Sequence, residues 1–159
     1  MSISTNDDVQ ALRRAMARRH HLFGWGALLL FLSLGGFLEC LHGFKLGYYL
    51  DPDNKMRREM WTLAHAHGTL LALVQITFAA GVMQFGRWTP SRLKLASFFL
   101  LDGAILIPVG FFLGGLWPKE GDPWLGILLV PLGALLLFIG VALIIVSVLQ
   151  DSDSAEPRP

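Results

Sequence analysis

The chain has 159 residues, of which 53% are hydrophobic and only 16% are charged, and its formal net charge is +1. Soluble domains carry about 25% charged residues. The low charge and the mean hydropathy of +0.53 are therefore typical of an integral membrane protein. The small net charge argues against a nucleic-acid-binding protein, which needs a clustered basic face. A single cysteine, Cys40, excludes an intramolecular disulfide.

The first 21 residues form a polar, basic segment. Val9, Leu12 and Met16 recur at helical spacing on one side, and arginines occupy the other side. This pattern predicts a short amphipathic helix that lies on an anionic membrane surface, with a solvated basic arm as the alternative. His20 and His21 end the segment, and we interpret them as contacts to lipid headgroups.

Four long uncharged runs follow, each close to or longer than the roughly 20 residues that a helix needs to cross a bilayer. The predicted transmembrane helices cover residues 22–41, 63–85, 95–116 and 124–149. Together, residues 22–149 are predicted to form an all-α, four-helix membrane bundle. Residues 150–159 are polar and proline-containing, which predicts a disordered tail.

Tryptophans and basic residues indicate the helix ends and the orientation. All five tryptophans fall at predicted helix ends, as in an interfacial aromatic belt: Trp25, Trp61, Trp88, Trp117 and Trp124. Lysine and arginine are slightly more frequent in the N-terminal segment and in the loop at residues 86–94 than in the opposite loops. We therefore predict a bacterial inner-membrane protein with both termini in the cytoplasm.

Glycines form a smooth stripe on each of the last two predicted helices. The residues concerned are Gly103, Gly110 and Gly114 on the third helix and Gly126, Gly133 and Gly140 on the fourth. Such stripes predict close approach of a neighbouring helix, including one from a second copy of the chain.

Side chains that bind metals are concentrated where the first two helices meet. Glu39, Cys40 and His42 end the first helix, and His65 and His67 lie near the start of the second. Ionisable residues in a membrane helix often mark a functional site. His65 and His67 are about 200° apart on a helix, so they cannot chelate one ion together. We predict cofactor binding at His67, with His65 and His42 as further haem ligands, or a metal site of His65, His67 and Glu39.

Two more polar residues lie inside predicted spans. Gln75 shares a helix face with His67, and Asp102 has no basic residue at similar depth. Asp102 is therefore expected to be protonated and hydrogen-bonded, with Gln75 or Ser33 as partner, or to line a polar path. A path through Asp102, Gln75 and Glu39 predicts conduction of protons or small solutes.

The segments His20-His21-x-x-Gly24, Ala66-His67-Gly68-Thr69 and Gln84-Phe-Gly-Arg-Trp88 resemble the first two helices of haem–copper oxidase subunit I, over about residues 20–88. In that family the histidine at the position of His67 is an axial ligand of the low-spin haem. The resemblance therefore implies haem binding and a role related to electron transfer or to an oxidase. No histidine follows His67, so the family's distal ligands are missing and oxygen reduction by the isolated chain is not expected.

Three functional hypotheses follow. The first is a small membrane protein that binds haem or a transition metal near the outer leaflet through His67. The second is a non-catalytic accessory or assembly subunit of a membrane complex, without a cofactor. The third is proton or small-solute conduction. In each case the expected partners are the lipid bilayer and either a second copy of the chain or a larger membrane complex.

Overall fold

The computed structural model describes the backbone of residues 2–51, 55–119 and 121–155, with side chains from Asp7 to Asp151. Across these ranges the chain forms four long helices: α1 (Ser2–Gly43), α2 (Met56–Gln84), α3 (Pro90–Gly114) and α4 (Leu129–Ala155). A short 3₁₀ helix, Leu125–Leu128, precedes α4. All four long helices are apolar and long enough to cross a membrane. The predicted all-α, four-helix architecture is confirmed.

The N-terminal segment is helical, but it is the first half of α1 and not a separate helix. α1 runs for 42 residues without interruption, because no proline occurs within it to break the helix. Leu12, Met16 and Ala17 pack against apolar side chains of the other helices. Arg13 Nε donates a hydrogen bond to the Val82 carbonyl, 2.7 Å away. The apolar face predicted to rest on lipid therefore covers protein.

Neighbouring helices run antiparallel, and α2 and α3 form the centre of the molecule. α1 packs mainly along α2, and α4 packs along α3. Half of the most apolar stretch of α3 is buried, against 17% in α4 and 11% in α1. We name the two ends of the bundle after buried tryptophans: the Trp61 end, where α2 begins, and the Trp88 end, where α3 begins. α1 and α4 are thus outer helices with large exposed apolar surfaces.

The two glycine stripes face each other and let α3 and α4 approach closely. A Cβ atom on Gly103 would lie 2.9 Å from the Gly133 carbonyl oxygen. A Cβ atom on Gly133 would lie 2.9 Å from the Leu106 and Ile107 side chains. The predicted close approach therefore occurs within one chain. The stripes are covered, so they do not serve as a surface for a second copy.

The Trp88 end is closed by hydrogen bonds between the α2–α3 loop and α4. Gly86, in a left-handed conformation with φ of 93°, donates its N–H to the Asp151 carboxylate at 3.0 Å. The Arg87 N–H donates to the Ser147 carbonyl at 2.8 Å. These bonds lie near residue 150, where the tail predicted to be disordered begins. α4 continues into that predicted tail as far as Ala155. Residues 156–159 of that predicted tail lie outside the described residues.

Only part of the predicted aromatic belt is exposed. Trp25, Trp117 and Trp124 are exposed, but Trp61 and Trp88 are 7% and 9% exposed. Trp61 Nε1 donates to the Phe112 carbonyl, and Trp88 Nε1 donates to the Phe85 carbonyl. These two indoles fill the ends of the helix bundle, because their N–H groups find backbone partners there.

Candidate functional site

Gln75 is fully buried at the meeting point of three helices, and its partner is His20 of α1. Gln75 Nε2 donates to the Leu100 carbonyl of α3 at 2.9 Å, which turns Gln75 Oε1 toward His20 Nδ1, 2.5 Å away. His20 Nδ1 therefore carries the proton, and His20 Nε2 accepts from Ser97 Oγ at 2.7 Å. Each of these donors and acceptors has a complementary partner. The network therefore joins α1, α2 and α3 and leaves none of these polar atoms unsatisfied.

The interpretation of His20 as a headgroup contact is wrong, because its side chain is 0% exposed. One turn after His20, α1 approaches α2 so closely that a Cβ atom on Gly24 would lie 3.0 Å from the Ala72 carbonyl oxygen. This approach places the His20 ring beside Gln75 and in edge contact with Phe78. His21, by contrast, is exposed and accepts a hydrogen bond from Trp25.

His65 joins α2 to α1. His65 Nδ1 donates to the Phe31 carbonyl at 2.7 Å, and the imidazole ring lies against Gly35, where it leaves no room for a Cβ atom. In return, the Phe31 ring lies against Gly68 of α2. The His65 ring thus fills the space beside Gly35 of α1, and the Phe31 ring fills the space beside Gly68 of α2. Both side chains serve to pack the two helices together.

His67 faces α3. Its Nδ1 donates to the Leu63 carbonyl of the same helix at 2.9 Å, and its ring centroid lies 4.8 Å from that of Phe111. His65 and His67 therefore contact different helices, as their predicted separation around the helix requires. Because Nδ1 carries the proton, Nε2 of His67 keeps the lone pair that a metal would need.

Glu39 and His42 are exposed and line a groove of about 470 Å³ between the end of α1 and the start of α2. The predicted metal set is not brought together: His65 contacts α1, His67 contacts α3, and Glu39 lines this groove. Among the described residues, no three histidine, cysteine or acidic side chains are close enough to hold a metal ion.

Asp102 lies at the midpoint of α3, twelve residues from either end of Pro90–Gly114. It shares a helix face with Phe98, Ile105 and Val109, which are 51%, 43% and 39% exposed. At 1.5 Å per residue, its backbone is about 18 Å from each end of the helix. The Asp102 side chain, itself half-buried, therefore lies at mid-depth beside an outward apolar surface.

The partners predicted for Asp102 are bonded elsewhere. Gln75 bonds His20 and Leu100, and Ser33 Oγ donates to the Leu29 carbonyl of its own helix. Asp102 forms no hydrogen bond or ion pair within the part of the chain that the structure describes. The predicted polar path is not assembled either, because Gln75 is buried, Asp102 faces outward and Glu39 lines the groove at the Trp61 end.

One buried side-chain oxygen in the described ranges, Thr69 Oγ1, has no hydrogen-bond partner. Thr69 is one turn after His65 and about 200° around α2 from His67. It therefore lies on the side of α2 that packs against α1 and does not mark an edge of a cofactor site at His67.

Comparison with protein-family models, with curated proteins and with solved structures found no match. The resemblance to haem–copper oxidase subunit I therefore stays a prediction. The pairing of His20 with Gln75 was not predicted from the sequence, although a mid-span glutamine and a histidine at the edge of another span were both visible there.

Proposed function

We propose that this chain is a non-catalytic accessory subunit of a larger membrane complex, and that it docks through the face of α3 that carries Asp102. The observation that supports this proposal is the outward, mid-helix position of that carboxyl group. An ionised aspartate at the centre of a bilayer costs about 2.5–3.5 kcal/mol on insertion scales. Even a protonated carboxyl group there lacks a hydrogen-bond partner, so a partner that supplies one stabilises the pair.

Several other polar side chains inside the bundle find their hydrogen-bond partners within the chain. His20, Gln75 and Ser97 satisfy one another inside the chain, and His65 bonds a backbone carbonyl. The fold therefore uses its internal polar groups to hold its own helices together. Asp102 is half-buried on the outward face of α3 and has no hydrogen-bond partner among the described residues, so another molecule can supply one.

The partner of Asp102 is a different chain. No lysine or arginine occurs at residues 20–44, 59–86, 95–118 or 120–157. A second copy therefore offers no lysine or arginine at the depth of Asp102. The proposed partner is a transmembrane helix of another protein with lysine or arginine near its middle.

Apolar grooves beside Asp102 fit such a helix. Two adjoining grooves between α1 and α3, of about 310 and 320 Å³, share Leu30, Phe31, Pro108 and Val109 in their linings. Val109 also lies on the outward face of Asp102. Gly26, Ala27 and Ala104 line the second groove, and such small side chains let a neighbouring helix approach closely.

The test is a photo-crosslinker at Ile105 in the full chain, used in its native membrane. We expect a crosslink to a transmembrane peptide with lysine or arginine near its middle, and we expect Asp102→Leu to reduce its yield about tenfold, which corresponds to about 1.4 kcal/mol. Asp102→Asn keeps a hydrogen-bonding group and should reduce the yield less. Thr77→Leu, an exposed polar-to-leucine change on α2, is the matched control.

Crosslinks only to lipid or to copies of this chain would overturn the accessory-subunit proposal, as would a yield that Asp102→Leu does not change.

A second candidate function is haem or metal binding at His67, favoured by its free Nε2 lone pair. An apolar groove of about 450 Å³ between α2 and α4 begins at Leu70, one turn after His67, and extends toward the Trp88 end, although His67 itself does not line it. A bound haem would supply reversible one-electron chemistry, and Phe111 would pack beside the ligand. Among the described residues no histidine, cysteine or methionine lines this groove, so the second axial ligand would come from a partner chain.

A visible spectrum of protein purified from haem-replete cells tests this candidate. We expect a Soret band that His67→Ala removes and that the exposed-residue control His21→Ala leaves unchanged. Wild-type protein without a Soret band would contradict haem binding. It would leave the crosslinking result at Ile105 unaffected, so the two proposals fail separately.

A further inference from the structure

The groove at the Trp61 end brings together four ionisable side chains that neither proposed function needs. Glu39 and His42 line it from α1, and Arg58 and Glu59 line it from α2. Leu38, Tyr49 and Leu63 complete an apolar side, and the first two are only 6% and 4% exposed. The result is a concave site of about 470 Å³ with charges of both signs at the rim and hydrocarbon beneath.

These rim charges do not neutralise one another. Within the described ranges, Glu39, His42, Arg58 and Glu59 form neither ion pairs nor side-chain hydrogen bonds. The neighbouring Arg57 shows the contrast, because it donates to the Tyr48, Gly115 and Leu116 carbonyls and its guanidinium lies 3.7 Å from the centre of the Tyr48 ring. Arg57 holds the loop to the bundle, whereas Arg58 is left to face the groove.

We propose that this groove binds the headgroup of a phosphoethanolamine phospholipid. The phosphate would accept charge-assisted hydrogen bonds from Arg58 and a hydrogen bond from His42, and the ammonium would donate to Glu39 and Glu59. The groove lies at the ends of two membrane-spanning helices, which is the depth of lipid headgroups. The acyl chains then follow the apolar flank of the bundle.

The arrangement selects among headgroups by their chemistry. An anionic glycerol headgroup has a phosphate for Arg58 but no cation for the two glutamates. A choline headgroup carries a quaternary ammonium without an N–H group, so it cannot donate a hydrogen bond to a carboxylate. Of these three headgroups, only ethanolamine can form hydrogen bonds both with Arg58 and with the two glutamates.

Native mass spectrometry of the delipidated full chain in detergent tests the site. The probes are phosphatidylethanolamine, phosphatidylcholine and phosphatidylglycerol with identical acyl chains, and soluble phosphoethanolamine. We expect phosphatidylethanolamine to bind about tenfold more tightly than the other two lipids, the loss expected when a charge-assisted hydrogen bond is missing. Glu59→Gln should remove most of this preference, whereas Arg58→Gln should weaken the binding of all three lipids, because they share the phosphate. Arg14→Gln, an exposed arginine far along α1 toward the Trp88 end, should keep it.

Equal binding of the three lipids, or a preference that Glu59→Gln retains in full, would overturn the proposal. An Arg58→Gln variant that binds all three lipids as tightly as wild type would also overturn it. Soluble phosphoethanolamine that binds as tightly as the lipid would show that the ligand is not a membrane lipid, and would also overturn it. Because a variant at Arg58 could disturb the start of α2, Glu39→Gln on α1 provides an independent measurement, with helicity checked by circular dichroism.

Discussion

At the scale of single residues, the histidines are distinguished by what accepts the Nδ1 proton. His20 donates to a side chain of another helix, His65 to a backbone carbonyl of another helix, and His67 to a carbonyl of its own helix. In a membrane no water satisfies these groups, so the protein must do so itself. A histidine inside a span is therefore explained first by helix packing. Nε2 has a hydrogen-bond partner within the described residues in His20, but not in His65 or His67.

The His20 network leads to a stability prediction. His20→Ala leaves Gln75 Oε1 and Ser97 Oγ without their buried partner, which costs about 1–3 kcal/mol. His20→Gln can still bridge the two groups and should cost less. Unfolding in mixed micelles, followed by circular dichroism, measures the difference. His21→Ala is the control, because a change at an exposed position usually stays within about 0.5 kcal/mol.

If His20→Ala is as stable as wild type while the fold is retained, the network does not hold the three helices together. A loss of the same size in His21→Ala would instead point to a general effect of this region of α1.

At the scale of elements, glycines decide which helices pair. Gly103 and Gly133 let α3 and α4 approach closely. Gly24, Gly35 and Gly68 do the same for α1 and α2, because a Cβ atom on any of them would clash with the facing helix. Hydrocarbon side chains gain little by leaving lipid for another helix, so close backbone approach and van der Waals contact drive the association. This explains why two outer helices with little buried surface still have defined positions.

Alanine substitutions at two glycines should have opposite effects. In Gly103→Ala the new Cβ meets the Gly133 carbonyl oxygen at 2.9 Å. The helices must move apart, which we expect to cost about 1–3 kcal/mol, as overpacking does. In Gly36→Ala the Cβ meets nothing within 4 Å, so we expect a gain of about 0.4–1 kcal/mol from the stiffer unfolded chain. The same micelle unfolding measurement compares them.

A stable Gly103→Ala variant would show that α3 and α4 can separate at no cost. Destabilisation by Gly36→Ala would show that the outward face of α1 is covered by something in the intact protein.

At the scale of the whole molecule, the packing of the helices determines which face of α3 stays uncovered, and Asp102 lies on that face. α2 and α3 form the centre, but α3 still has one face that neither α1 nor α4 covers. Leu95, Phe98 and Ile105 on that face are 43–51% exposed. An aspartate in the middle of such a face is costly to a monomer in lipid and useful to a subunit that must find one partner. The crosslinking experiment at Ile105 therefore tests the molecule as a component of a complex.

The sequence by itself determined the number of spans, their approximate places and the separation of His65 from His67, because hydropathy and helical periodicity are local properties. Boundaries that depend on packing differed: α1 begins at Ser2, well before residue 22, and α4 continues past residue 149. Only the tertiary structure paired His20 with Gln75, 55 residues apart, and placed Asp102 on an open face. The partner of a buried polar group depends on which helices meet, and that is decided by close packing at glycines distributed along the whole chain.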